Sequence, residues 1–254
     1  MNGKINLSVR EGIASITFGH PKSNALPAAL LTKLSRTLTE AGENPAIKVI
    51  HLQSEGTKTF CAGASFDELL NISTAAEGKR FFMGFAHVIQ AMRKCPKFIL
   101  VSVQGKAVGG GVGIASAADY CLASETASIK LSELSIGIGP FVIEPAVTRK
   151  IGPSAVAQLS LTPTTWQPAV WAKNKGLYHE VFTTPEAMLE QSHQMARELT
   201  QYSTTAMSEI KTMLWSGTEH WDQTLEERAQ ISGQLVLSQK CQEALLKFKK
   251  VRKN

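Results

Sequence analysis

Hydrophobic residues follow two different spacings along this chain, and each spacing predicts its own kind of element. In residues 5–9 and 13–18, apolar and β-branched side chains fall at alternate positions on either side of Glu11 and Gly12. This alternation around two turn-forming residues is typical of a β-hairpin. Residues 28–41 instead carry leucines three and four positions apart, which predicts an amphipathic helix.

Strand-like and helix-like segments continue to alternate through the middle of the chain. The predicted strands are residues 49–53, 98–103, 120–123 and 128–130, and the predicted helices among them are residues 76–94 and 111–118. The first of these helices should end before Pro96, because the residue preceding a proline avoids helical backbone angles. Repeated alternation favours parallel strands joined by helical crossovers, and therefore an α/β fold.

From Pro153 onward the spacing of apolar residues is helical. The predicted helices are residues 154–161, 169–175, 185–202, 205–216 and 218–250. Thr184 followed by Pro185 marks the start of the helix predicted for residues 185–202. A capping hydroxyl and a proline at the first helical position are typical of a helix N-terminus. No evident chemistry accompanies these helices, so we expect them to serve packing and assembly.

Composition and charge narrow the class of protein. The chain has 254 residues, 43% hydrophobic and 19% charged, which fits one soluble domain. Much of its net charge of +6 lies at the C-terminus without a nucleic-acid motif, so we expect no nucleic-acid partner. The longest apolar run is far shorter than the ~20 residues of a membrane span, and no signal-peptide pattern is visible. We therefore expect no membrane association and a cytoplasmic location, or an organellar one if a presequence is removed.

The cysteines and histidines do not form a recognisable metal or redox pattern. The four cysteines show no CxxC pair, and three of them stand among apolar or small residues, which predicts reduced and buried thiols. The six histidines show no HxxxH or HExxH spacing. We therefore expect neither a structural nor a catalytic metal.

Two glycine-containing segments are the strongest candidates for chemistry. Residues 59–66 read TFCAGASF, and Gly109, Gly110 and Gly111 follow the predicted strand 98–103. Backbone without bulky side chains lets a ligand approach N–H groups closely, and two such groups converging on one carbonyl oxygen form an oxyanion hole. The alternative is that these glycines only allow tight packing of a helix against a sheet.

These two segments occur in register with three others: HPKSNAL (residues 20–26), LSELSIGIGP (131–140) and LTPTTWQPAVWAKNKGLYHEVF (161–182). Together they resemble the crotonase (enoyl-CoA hydratase/isomerase) superfamily. The resemblance implies a spiral of ββα turns over residues 1–190 and a C-terminal helical trimerisation region over residues 191–254. It also implies a homotrimer or dimer of trimers acting on an acyl-CoA thioester. Coenzyme A is then part of the substrate, and no separate cofactor is expected.

The resemblance assigns catalytic roles to three positions. The oxyanion donors would be the N–H groups of Ala64 and Gly110, and Glu133 would transfer the proton. Hydratases of the superfamily carry a second glutamate three residues after the middle glycine, where this chain has Gly113. Because a double-bond shift needs only one base, the chain is most similar to the single-glutamate Δ3,Δ2-enoyl-CoA isomerases.

Glu144 leaves alternatives open. It stands in an apolar segment, either as a carboxylate at a helix N-terminus before Pro145 or as a relocated second acid of the pocket. The second interpretation would make the protein an enoyl-CoA hydratase using Glu133 with Glu144. A third alternative is a non-catalytic acyl-CoA-binding or scaffold protein, which would have no need of Glu133.

The resemblance also assigns residues to coenzyme A. One of them, Ser65, replaces the aspartate that is usual at its position. The last three would belong to a C-terminal helix that reaches a neighbouring subunit's ligand. The assigned positions are Lys22, Ala25, Ala62, Ser65, Phe66, Phe248, Lys249 and Lys250.

Overall fold

The computed structural model describes the backbone of residues 3–251 and the side chains of residues 3–247. The strands are β1 (Lys4–Arg10), β2 (Ile13–Gly19), β3 (Val49–Ser54), β4 (Thr59–Cys61), β5 (Phe98–Val103), β6 (Lys106–Val108), β7 (Tyr120–Ser124), β8 (Ser128–Lys130), β9 (Gln167–Pro168) and β10 (Glu180–Phe182). The α-helices are α1 (Ala28–Glu43), α2 (Phe66–Leu69), α3 (Ala75–Lys94), α4 (Gly110–Ser116), α5 (Glu144–Leu161), α6 (Ala169–Asn174), α7 (Pro185–Leu199), α8 (Thr204–Leu214), α9 (Trp221–Leu235) and α10 (Gln239–Val251). A short 3₁₀ helix covers Glu133–Ile136.

The strands form two sheets, and the chain moves from one to the other in a repeated order. The larger sheet has the order β1-β2-β3-β5-β7-β10, and the smaller one has the order β4-β6-β8-β9. In the pairs β3–β4, β5–β6 and β7–β8, the first strand joins the larger sheet and the second joins the smaller one. A helical segment follows each pair. The α/β class predicted from strand–helix alternation is confirmed, and so is the spiral of ββα turns.

The hairpin predicted at the N-terminus is also confirmed. Strands β1 and β2 pair antiparallel, and Ile13 lies opposite Arg10. Glu11 and Gly12 have φ angles of 52° and 79°. Two consecutive positive φ angles give a turn whose twist matches that of the flanking strands.

The core lies between the two sheets and the helices α1, α3 and α4. It is built from the leucines of α1, the inward residues of β2, β3 and β5, and the small residues of α4. All four cysteines are buried as free thiols, which confirms the prediction made for the three that stand among apolar or small residues. Because the buried residues of α4 are glycine, alanine, valine, isoleucine and serine, this helix can approach the sheets closely.

A buried ion pair fixes α8 to the larger sheet. Lys211 donates to a carboxylate oxygen of Asp119 and to the backbone carbonyl of Lys97, both at 2.8 Å. The same carboxylate accepts hydrogen bonds from the indole of Trp215 and the amide of Ile99. Each charge is therefore paired and hydrogen-bonded, which is the condition under which a charge is tolerated inside a protein.

The C-terminal region differs from the prediction in its helices. The single helix predicted for residues 218–250 is wrong, because the chain forms α9 and α10 with a break between them. Ser238 explains the break, since its hydroxyl accepts from the amide of Cys241 and so caps the new helix. Cys241 and Leu245 of α10 then pack with Ile138, just beyond the 3₁₀ helix.

Other differences concern short or kinked elements. Strands β4, β6, β9 and β10 were not predicted, and each has only two or three residues. Strand β8 is as short and was predicted. Gly152, with a φ of 75°, divides α5 into two parts. The second part matches the helix predicted for residues 154–161, and the first part, which begins at Glu144, was not predicted. The predicted boundary at residue 190 falls inside α7, and the division into two regions stays a prediction.

Within residues 3–251, no helix combines the length and the apolar character needed to cross a membrane. The predicted cytoplasmic location stays a prediction.

Candidate active site

Two turns bring the predicted oxyanion donors to one pocket. The first follows β4, where Leu26 donates a 2.8 Å hydrogen bond to the carbonyl of Gly63 and forms a parallel bridge with Ala64. The second follows β6, where Gly110 begins α4. A Cβ atom placed on Gly63 would lie 3.9 Å from the amide nitrogen of Gly110, so the two turns are adjacent. Ala64 and Gly110 both line the pocket.

Both donors are free to bind a ligand. Within the described part of the chain, the N–H groups of Ala64 and Gly110 have no hydrogen-bond acceptor. The first N–H groups of a helix lack an intrahelical partner, and the helix dipole favours negative charge beside them. The pair can therefore stabilise an oxygen that gains negative charge.

The glycines of the second turn are required by close contacts. A Cβ atom on Gly111 would lie 2.7 Å from Cβ of Cys61, and one on Gly110 would collide with the ring of Phe85. Gly109 has a φ of 53°. A larger residue at position 111 would push the turn away from β4, and one at position 110 would displace Phe85. The shape of the turn therefore requires glycine.

Glu133 lies against this turn. A Cβ atom on Gly109 would be 2.6 Å from the Oε1 atom of Glu133. The second carboxylate oxygen, Oε2, is buried and has no hydrogen-bond partner among the described residues. Burial disfavours the charged form and raises the pKa of Glu133 to about 7. A carboxyl group with that pKa can both accept and return a proton near neutral pH.

The pocket around Glu133 is small and mostly apolar. Its volume is about 150 Å³. Five phenylalanine rings and several aliphatic side chains form most of its wall, and the only side chains with polar groups are Ser132, Glu133 and Ser232 among the described lining residues. The phenylalanines are Phe66, Phe81, Phe82, Phe85 and Phe141. Such a wall suits an acyl chain and keeps water away from the carboxylate.

The position of a second carboxylate is filled by hydrocarbon. Gly113 lies in α4, and a Cβ atom placed there would be 2.5 Å from Cγ2 of Ile143. Ile143 is buried and lines the pocket. The side of the pocket next to α4 therefore presents an isoleucine instead of an acid.

Glu144 supports the helix-terminus interpretation. It is the first residue of α5, and its Oε1 atom accepts a 2.5 Å hydrogen bond from the hydroxyl of Thr148. Its Oε2 atom lies 3.6 Å from the guanidinium of Arg228. Glu144 is not among the described residues that line the pocket.

The residues assigned to coenzyme A fall into three groups. Ala62 and Phe66 line the pocket. Lys22 and Ala25 belong to the adjacent loop, whose Ser23 carbonyl accepts a 3.2 Å hydrogen bond from the amide of Ala62. The Lys22 ammonium pairs with Asp67 at the entrance to α2.

The remaining residues assigned to coenzyme A are not among the described residues that line the pocket. Ser65 caps α2, where its hydroxyl accepts from the amide of Glu68 at 3.3 Å. An aspartate would cap this helix about equally well, so the capping does not explain the replacement. Phe248, Lys249 and Lys250 stand at the end of α10, and their side chains lie outside the described residues.

Sequence reasoning missed part of the wall. Phe81, Phe82 and Phe85 come from one face of α3, where an aromatic run at one- and four-residue spacing was a visible signal. Ser232 of α9 also lines the pocket, and no sequence signal marked it.

Comparisons with known proteins cover nearly the whole chain. The model of the family described as "Enoyl-CoA hydratase/isomerase" matches residues 8–254. A probable enoyl-CoA hydratase of Bacillus subtilis (strain 168) is 24% identical over 253 residues, covering 98% of this chain and 96% of that protein. A short-chain-enoyl-CoA hydratase of Clostridium acetobutylicum is 30% identical over 156 residues, covering 60% of this chain and 59% of that protein.

The fold is shared with solved structures. The crystal structure of enoyl-CoA hydratase from Bacillus halodurans has a TM-score of 0.89 at 21% identity, covering 96% of this chain and 99% of that chain. At this identity the structural likeness shows the crotonase fold alone. Membership of the family is shown by the match of the sequence to the family model. The chain belongs to the enoyl-CoA hydratase/isomerase family.

Proposed function

We propose that this enzyme shifts the double bond of a 3-enoyl-CoA thioester to the 2-position, with Glu133 as the only base. The observation that carries the proposal is the pairing of Glu133, whose buried Oε2 atom has no hydrogen-bond partner among the described residues, with a pocket whose α4 side is closed by Ile143. A double-bond shift moves one proton between two carbons of the same substrate. One carboxyl group is sufficient for that transfer.

The reaction begins when the thioester oxygen accepts hydrogen bonds from Ala64 and Gly110. Glu133 removes a proton from C2, and the negative charge passes to the thioester oxygen, where the two N–H groups stabilise it. The protonated Glu133 then returns the proton at C4, and the double bond forms between C2 and C3. The proton that Glu133 removes from C2 is the one that it returns at C4, and no water is consumed.

Hydration of a 2-enoyl-CoA is the second candidate, because several relatives carry hydratase names. Hydration needs a water held beside C3 by groups that remove and supply protons. In this chain Glu133 would act with Glu144, but Glu144 is bound to Thr148 and lies near Arg228. The arrangement therefore favours the isomerase.

The wild-type enzyme is expected to isomerise 3-hexenoyl-CoA faster than it hydrates crotonyl-CoA. Both reactions are followed on one preparation, isomerisation by gain and hydration by loss of absorbance from the conjugated thioester. Hydration faster than isomerisation would contradict the single-base assignment and support the two-carboxylate alternative.

A trimer, or a dimer of trimers, is proposed as the assembly. Three large apolar side chains of α8 are exposed in the single chain, namely Ile210, Met213 and Leu214. Exposed apolar side chains that cluster on one helix are typical of subunit interfaces. Light scattering at micromolar concentration tests the assembly, and a monomer would contradict it.

Deleting residues 248–254 is expected to raise KM for CoA esters several-fold while changing kcat less. The deleted segment carries Lys249, Lys250, Arg252 and Lys253, which attract the phosphates of coenzyme A. Exposed charges are screened beyond ~10 Å at ordinary ionic strength, so the effect should be largest at low salt. Equal KM values for both proteins at low salt would remove this role.

A further inference from the structure

Ile143 occupies the space into which any side chain at position 113 would point. A Cβ atom on Gly113 would lie 2.5 Å from Cγ2 and 2.9 Å from Cβ of Ile143. Carbon atoms that are not bonded do not approach this closely. On the far side, Cδ1 of Ile89 lies 3.6 Å from the same position. Ile143 therefore leaves no room for a Cβ atom at position 113 in this arrangement.

Neither backbone can move aside without losing hydrogen bonds. The amide of Gly113 donates a 3.1 Å hydrogen bond to the carbonyl of Gly109, in the turn that forms the proposed oxyanion hole. The amide of Ile143 donates to Pro140 at 3.2 Å, and its carbonyl accepts from Val147 at 3.0 Å at the start of α5. A shift at either position would disturb the hole or the helix.

We propose that Ile143 is a specificity-determining residue that holds this enzyme to proton transfer and excludes addition of water. Its side chain fills the volume that a carboxylate at position 113, and the water which that carboxylate would hold, need beside the substrate. The inference rests on the proposed function, and it assigns the choice of reaction to a residue outside the glycine turn.

The pocket wall supports this role over simple packing. Ile143 contributes to the hydrophobic core, and it also lines the pocket that contains Glu133. In hydration, the oxygen of water bonds to C3 while C2 receives a proton, so a water site must exist beside C3. A branched hydrocarbon at that place offers no hydrogen bond to water.

The experiment exchanges the two side chains. Gly113→Glu/Ile143→Gly supplies a second carboxylate and removes the isoleucine, and Gly113→Gln/Ile143→Gly is its matched control with the same size and no acid. We expect the glutamate variant to hydrate crotonyl-CoA at least ~10-fold faster than the glutamine variant, because a positioned acid or base typically contributes 10²–10⁴-fold. Gly113→Glu alone should not reach this rate, since Ile143 still fills the space.

Deuterium exchange at C2 of butyryl-CoA separates the two possible failures. This exchange needs only Glu133 and the oxyanion hole. If the glutamate variant exchanges as fast as the wild type yet hydrates no faster than its glutamine control, the role of Ile143 is overturned. If the wild-type enzyme exchanges but does not isomerise, the proposed function fails, while the comparison of the two double variants still decides the role of Ile143.

A stability measurement covers the case in which the double variants do not fold. Gly113→Ala is expected to lower Tm in the wild-type protein and to lower it less in the Ile143→Gly protein, because the collision needs both side chains. An equal decrease in the two proteins would show that Ile143 does not exclude a side chain from position 113, and would overturn the proposal.

Discussion

Replacing Glu133 with glutamine is expected to lower kcat by at least ~100-fold, because general acid–base catalysis typically contributes 10²–10⁴-fold. Glutamine has the same shape and cannot take the proton from C2. Binding of CoA esters should change little, since the oxyanion donors are backbone N–H groups. Steady-state kinetics with 3-hexenoyl-CoA and a separate binding measurement with a saturated acyl-CoA check the two parts.

Glu144→Gln is the matched control for that variant. Glu144 is also a glutamate next to the pocket wall, but its carboxylate is held by Thr148. Turnover should stay close to that of the wild type. A loss as large as that of Glu133→Gln would make Glu144 a second catalytic acid, and retention of more than about a tenth of kcat by Glu133→Gln would remove the role of Glu133.

The free energy of unfolding is expected to decrease as the pH rises from 5 to 8, because of Glu133. Burial raises the pKa of Glu133 to about 7 from a usual value of 4.5. Between these values the folded protein holds a proton that the unfolded chain has released, so stability is full below pH 4.5 and is lost as the pH rises through 7. The loss between pH 5 and pH 8 amounts to up to about 2.5 kcal/mol.

Glutamine at position 133 removes this titration. The Glu133→Gln protein should therefore gain stability over the wild type at pH 8 and show little difference at pH 5. Urea unfolding at the two pH values measures the change. A constant difference between the two proteins would mean that Glu133 titrates near its usual pKa in the folded state.

Much of the site could be predicted because its chemistry depends on local sequence. The absence of side chains at Gly109 to Gly111 is visible in the sequence, and it is what allows the turn to pack closely against β4, Phe85 and Glu133. The role expected of Glu133 came from the resemblance to the crotonase superfamily, not from the local pattern. Strand–helix alternation in the first two-thirds was similarly local, so the α/β class followed from it.

Other features depend on residues far apart in the chain. Nothing near Gly113 in the sequence indicates that Ile143 fills the adjacent space. Arg228 belongs to α9, and only the fold places it beside Glu144. The role of Ser65 as a helix cap depends on α2 beginning at Phe66, and a four-residue helix has too few positions to show a period.

The packing of α10 determines when the active site becomes complete during synthesis. Cys241 and Leu245 pack beside Ile138, which lines the pocket just beyond the 3₁₀ helix that begins with Glu133. The two turns and the glutamate that we propose to react all precede residue 134, so they leave the ribosome more than 100 residues before this support does. A nascent chain thus carries the residues proposed to react while one wall of its pocket still lacks support, and α10, which is made more than 100 residues after Glu133, supplies it.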